Sequence, residues 1–124
     1  MTRKVDGMRA DRGSRPARVL LDELAAEFLR GPGVELGTMF RSPGLRVSGK
    51  IFAFLGHDDR LIVKLPRARA QEAVAAGTAR EVTMGRRTMK EWVSFDFDDD
   101  DLDGTLAMWR DAAREAHDFV SGAA

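Results

Sequence analysis

The chain contains no cysteine. Disulfides and thiolate zinc sites are therefore excluded, and the composition suits a reducing compartment. Long apolar runs are also missing. None approaches the roughly 20 residues that span a bilayer, so no membrane association is expected. The opening stretch MTRKVDGMRADRGSRP, residues 1–16, holds no hydrophobic segment, so no secretory signal is expected either. A cytoplasmic location follows by elimination. Net charge is absent as well, since 20 Lys and Arg balance 20 Asp and Glu. That balance argues against a protein that holds nucleic acid by bulk charge alone. The chain has no P-loop and no G-x-G-x-x-G, and Ser42, Ser48, Ser94 and Ser121 lack the G-x-S-x-G setting of a nucleophile. No catalytic residue, cofactor or metal is assigned, and the chain is not expected to be an enzyme.

What is present describes one domain. A length of 124 residues, 44% apolar, supports a single core without staples. Charge is unevenly spread. Arg3, Lys4, Arg9, Arg12, Arg15 and Arg18 crowd the start, whereas Asp96, Asp98–Asp101 and Asp103 make an acidic cluster near the end. Residues 1–16 have little to bury and are read as a flexible basic tail. Residues 17–122 are read as the folded domain.

Periodicity then sets the elements. Leu20, Leu24 and Phe28 repeat every four residues, which predicts an amphipathic helix ended by Gly31-Pro32-Gly33. Val34, Leu36, Thr38 and Phe40 alternate with other residues, as a half-buried strand does, and Ser42-Pro43-Gly44 is read as the following turn. Leu45 and Val47 continue the alternation. Whether Gly49 turns the chain or only bends it, leaving one long strand from Leu45 to Leu55, is open at this level. The stretch KIFAFLGHDDRLIVKLP, residues 50–66, holds two short apolar runs around a polar connection and predicts a β-hairpin stopped by Pro66. Ala70, Ala73 and Val74 return to helical spacing, with Gly77 as its cap. Glu81–Met84 and Glu91–Phe95 read as two further strands joined around Gly85-Arg86-Arg87-Thr88. Leu102, Leu106, Trp109, Ala113, Ala116 and Val120 form the stripe of a last helix, and the aspartates before it favour its start. The expected fold is α+β: a two-layer sandwich, an antiparallel sheet of five to six strands with three helices, in the order helix, strands, helix, strands, helix.

Few side chains suggest chemistry. The Asp96–Asp101 run begins like a calcium loop, but the sixth and twelfth positions hold Asp101 and Ala107 instead of Gly and Glu. It is read as a helix start. His57 and His117 lie far apart in sequence and are read as surface residues. Trp92 and Trp109 are read as core, and Lys50 and Lys64 as places where strands meet solvent. Arg86 and Arg87, with Lys90 nearby, form a basic hairpin tip. They are the candidate interaction surface, able to meet phosphate or an acidic protein.

Met39-Phe40, Gly44-Leu45, Gly49-Lys50-Ile51-Phe52-Ala53, Leu61–Pro66, Ala76-Gly77, Met89–Val93 and the Trp109 helix together resemble the TfoX/Sxy N-terminal domain family. The resemblance covers about residues 17–120 and departs from the family at Arg41-Ser42-Pro43. It implies a stand-alone domain without the family's C-terminal domain. Its functional implication is a non-enzymatic, protein-binding adaptor with a role in transcription or competence regulation, working with an unidentified protein partner. Two alternatives accompany it: direct DNA binding through the basic tail and the Arg86/Arg87 hairpin, and small-ligand binding at a pocket lined by groups such as His57 and Lys64. A homodimer is expected because a small open sheet leaves an edge to cover.

Overall fold

The first helix begins where a side chain can satisfy its free N–H groups. In the computed structural model, which describes residues 14–122, the Ser14 hydroxyl accepts the Ala17 N–H at 3.3 Å. Pro16 sits in the first turn of α1 (Arg15–Phe28), where a missing N–H costs nothing. Arg15 and Pro16 therefore belong to the folded part. The rest of the expected tail, residues 1–13, lies outside the described residues. Leu20, Leu21, Leu24 and Phe28 are all buried, as their spacing predicts.

Six strands follow: β1 (Val34–Met39), β2 (Ser42–Val47), β3 (Lys50–Leu55), β4 (Leu61–Lys64), β5 (Arg80–Met84) and β6 (Arg87–Phe95). They form one antiparallel sheet in the order β1-β2-β3-β4-β6-β5. Helix α2 (Arg67–Ala75) lies between β4 and β5, and α3 (Leu102–Ser121) closes the chain. The α+β architecture and its element order are those expected from the sequence.

Two turns differ from the sequence reading or settle it. The β1–β2 turn is Phe40-Arg41, with φ of 54° and 68°, and Ser42-Pro43-Gly44 lies inside β2. Both turn residues are left-handed, the pattern of a tight type I′ hairpin that matches strand twist. Neither is the glycine or asparagine that such a turn favours, so the turn carried no signal in the sequence. The Ser48-Gly49 turn repeats the pattern with φ of 54° and 80°, which makes β2 and β3 two strands and not one.

Leu45, Ala53, Val63 and Val93 align across four strands on the face that the helices cover. A register shift where β2 meets β3 lets both Phe52 and Ala53 point into this core. Trp109 of α3 is fully buried there, as predicted, and its Nε1–H donates to the Asp96 carbonyl at 3.1 Å. The apolar stripe of α3 is shorter than its spacing suggests: Leu102, in the first turn, is exposed. Asp101 starts the helix by accepting the Gly104 N–H at 3.0 Å, the role expected of the acidic run.

The two helices α1 and α3 are tied by Arg110, whose Nε and Nη2 both donate to the Glu27 carboxylate at 2.8 Å. At the other end of the sheet, Asp96 accepts from Arg60 Nε at 3.1 Å and from Arg80 Nε at 2.8 Å. The Arg80 hydrogen bond is the main cause holding the Asp96 carboxyl below its ordinary range, with Arg60 adding to it. A carboxylate lowered on folding contributes stability above its unfolded value of about 4 and loses it as pH falls through the folded value. Asp96→Asn is therefore expected to lower stability at pH 7 by less than about 1 kcal/mol, because the pair is half exposed and solvent screens it. The difference from the parent should vanish towards pH 2, and urea midpoints measured across this range check it. A gap that stays constant with pH would show that Asp96 acts through packing alone.

Candidate functional site

The helices cover one face of the sheet. On the other, strand alternation places Gly44 of β2, Phe54 of β3, Ile62 of β4 and Ser94 of β6 in one row, with Lys64 and Trp92 paired in the next. Three rings run along this uncovered face. The Phe40 ring, at the β1–β2 turn, meets Phe54 edge-on at 6.3 Å, and Phe54 meets Trp92 edge-on at 5.6 Å. Phe54 is buried beneath its neighbours, Trp92 is half-buried, and Phe40 is 59% exposed. Gly44 makes the arrangement feasible. A Cβ there would stand 2.6 Å from the Ala53 carbonyl oxygen and 2.7 Å from the Phe54 Cβ, so only glycine lets Phe54 lie this close to β2.

Of the hollows beside the ring row, two bear on a ligand. One, of about 280 Å³, lies between the β1–β2 turn, β3, β4 and the outer half of β5, and is lined by Phe40, Ser42, Phe54, His57, Ile62 and Met84 among others. The other, of about 300 Å³, is lined by Trp92, Lys64, Arg67, Arg87, Lys90 and Glu91 among others. Lys64 Nζ lies 5.9 Å from the centre of the Trp92 ring and 3.9 Å from Glu91. Four cations therefore face one carboxylate around this hollow.

Several cations elsewhere are matched: Arg46 with Glu35, Arg60 and Arg80 with Asp96, Arg69 with Glu115, and Arg110 with Glu27. Arg67, Arg86, Arg87 and Lys90 make no side-chain hydrogen bond or ion pair with another described residue, and neither does Arg41 at the β1–β2 turn.

Of the residues singled out from the sequence, Arg86 occupies the β5–β6 turn beside Gly85, Arg87 opens β6, and Lys90 follows within that strand. Arg87 and Lys90 share the Trp92 hollow. Strand β6 is longer than predicted, because the turn is only Gly85-Arg86 and Gly85 alone supplies the positive φ of 61°. His57 and Lys64 line different hollows, and His117 is half-buried with its ring 5.4 Å from Phe52. The sequence reading missed Lys64, Arg67 and Trp92 as members of one site. The signal for two of them was legible: Leu61, Val63 and Leu65 point inward, which turns Lys64 outward, and inward Val93 and Phe95 turn Trp92 outward. What was not legible is that β4 and β6 are neighbours.

Among the described residues no helix is long and apolar enough to cross a membrane. Comparison with curated proteins and with solved structures returned no match. A family model does match, over residues 29–118, from the end of α1 through the whole sheet and α2 to the last turns of α3, and its description is YjbR. This match overturns the TfoX/Sxy resemblance. The segments that carried that resemblance, such as Leu61–Pro66 and Gly49–Ala53, are short alternating strands with turn residues, which many small sheets share. With a match across 90 of its 124 residues, the chain belongs to the YjbR family.

Proposed function

We propose that this protein is a non-enzymatic nucleic-acid-binding module, and that the uncovered sheet face with its Arg86/Arg87 hairpin makes the contact. The observation that carries the reading is the cluster of cations with no described carboxylate partner, Arg67, Arg86, Arg87 and Lys90, beside a half-buried tryptophan. Leaving cations unmatched costs self-repulsion that a phosphate backbone would relieve. Arg41 puts a further cation at the other hairpin turn. The neutral total charge fits a local patch and not a wholly basic domain. A nucleic-acid target also suits a cytoplasmic location. The contribution of the basic tail falls outside the described residues.

Fluorescence anisotropy with labelled DNA, offered both single-stranded and as duplex over a series of salt concentrations, tests the reading. The triple variant R86A/R87A/K90A is expected to bind more weakly, with the slope of log affinity against log salt flatter by about 0.7–0.9 for each phosphate left without its cation. These side chains are exposed, so its thermal midpoint should match the parent. No binding of either DNA form, or an unchanged slope in the variant, would remove the proposal.

The protein-binding adaptor is the second reading, favoured by Phe40 and Met84, apolar side chains exposed on the same face. Its link to competence regulation came from the TfoX/Sxy resemblance and goes with it. A homodimer is a proposal of the same standing, since β1 and β5 are the outer strands and offer unpaired backbone groups.

A further inference from the structure

Resting on the nucleic-acid reading, we infer that the form recognised is a single strand, whose bases lie on Phe40 and Trp92 and enter the apolar hollow beside Phe40.

Four observations converge. First, the cations and the rings are arranged side by side. The Trp92 hollow holds Lys64, Arg67, Arg87 and Lys90, and from Trp92 the rings continue through Phe54 to Phe40. A duplex shields the faces of its bases by stacking and offers phosphates and groove edges instead. Rings beside a cationic track suit unstacked bases, which present their flat faces.

Second, Phe40 is in a conformation that its type does not favour. Left-handed φ at a bulky residue is uncommon, and with 59% of Phe40 exposed, its edge contact with Phe54 is what holds the ring. Asparagine or glycine would form this turn with less strain. A residue that fits the turn poorly and still presents its ring to solvent points to a role in contact.

Third, the hollow of about 280 Å³ beside Phe40 has the composition that a base needs. Phe40, Phe54, Ile62 and Met84 provide apolar walls, and Ser42 and His57 provide polar atoms within them. Flat heterocycles with polar edges bind in surroundings of this kind.

Fourth, cations adjoin each end of the ring row: Arg41 follows Phe40 in the β1–β2 turn, and Lys64, Arg67, Arg87 and Lys90 line the hollow at Trp92. A strand laid along the rings would have phosphates near each end.

The experiment uses the full chain, an oligo(dT) of about 12 nucleotides, within the range bound by known single-strand modules, and a duplex of the same length at equal salt. Trp109 is fully buried and hydrogen-bonded, so a change in tryptophan fluorescence on titration reports Trp92. Oligo(dT) is expected to bind more tightly than the duplex and to quench that emission. F40N, which suits the turn but lacks the ring, should weaken oligo(dT) binding about 5- to 150-fold, as removing one base stack does, whereas F40Y should restore it. The melting temperature of F40N is expected to equal or exceed the parent's, which separates an effect on stacking from an effect on folding. Duplex binding equal to or tighter than oligo(dT) would overturn the single-strand inference while leaving the nucleic-acid reading in place. Oligo(dT) binding with no change in Trp92 emission, or with F40N equal to the parent, would overturn it too. Binding of neither form would overturn both.

Discussion

Trp109→Ala is expected to destabilise the protein by about 3–5 kcal/mol, the loss usual for emptying a fully buried large aromatic site. Trp109 is the largest fully buried side chain, and its ring lies 6.0 Å from Phe97. Its Nε1–H also satisfies the Asp96 carbonyl, at the point where β6 gives way to the acidic loop. The alanine variant would leave a cavity and remove that donor together. A domain of this size has a total stability of about 5–15 kcal/mol, so one substitution takes a large share of it. The urea midpoint should fall by more than about 1 M, given slopes of about 1–3 kcal/mol per M. Trp109→Phe separates the two contributions: it keeps much of the ring volume and loses the donor, for an expected cost of about 1–3 kcal/mol. A midpoint for Trp109→Ala within error of the parent would mean that α3 does not anchor the core.

Gly44→Ala is expected to cost about 1–3 kcal/mol or more, a large effect for one methyl group. The added Cβ would meet the Ala53 carbonyl oxygen at 2.6 Å, the Phe54 Cβ at 2.7 Å and the Phe54 Cα at 3.1 Å. The carbonyl oxygen and the Cα belong to the β3 backbone and cannot swing aside, so β2 and β3 must part or Phe54 must move. Gly37, directly opposite Gly44 on β1, provides the contrast. A Cβ there would meet Ile51 Cδ1 at 2.9 Å and Arg46 Cδ at 3.4 Å, the ends of flexible side chains. Gly37→Ala should therefore be nearly neutral, because yielding side chains and a less flexible unfolded chain offset each other. Chemical denaturation of both variants checks the pair. Equal costs at the two positions would refute the backbone-clash account. Moving Phe54 should also disturb its edge contacts with Phe40 and Trp92, so under the proposed function Gly44→Ala is expected to weaken DNA binding beyond its effect on stability.

The Gly44 effect belongs to a wider feature of the fold. The uncovered face is built from residues whose conformations or neighbours are special: a glycine under a ring, a phenylalanine in a left-handed turn, and a lysine over a tryptophan. The covered face is mainly alternating Leu, Val and Ala, interrupted where Phe52 and Ala53 both face the core. Such departures from ordinary preference are expected where a surface is built for contact, in line with the proposed site.

The sequence by itself determined whatever depends on near neighbours. The stripe around Trp109, the spacing of Leu20, Leu24 and Phe28, and the two apolar runs of residues 50–66 each bury one face at a fixed period, so α1, α3 and the β3–β4 hairpin were legible. The turn at Gly85-Arg86 was legible from its glycine, whereas Arg87, read as part of it, opens β6. Only the tertiary structure decided which distant pieces meet. The β1–β2 turn fell at Phe40-Arg41 because strand pairing forced two unsuited residues to left-handed φ, which no local preference announces. Lys64 and Trp92 became one site because β6 docks beside β4 across an intervening helix and strand. Which cations stay unmatched was likewise set by the reach of carboxylates brought from elsewhere in the chain, such as Asp96 to Arg60 and Glu27 to Arg110. Period and turn chemistry act over a few residues. Strand order and charge pairing are settled by packing across the whole domain, and the candidate site lies where those long-range choices left a face uncovered.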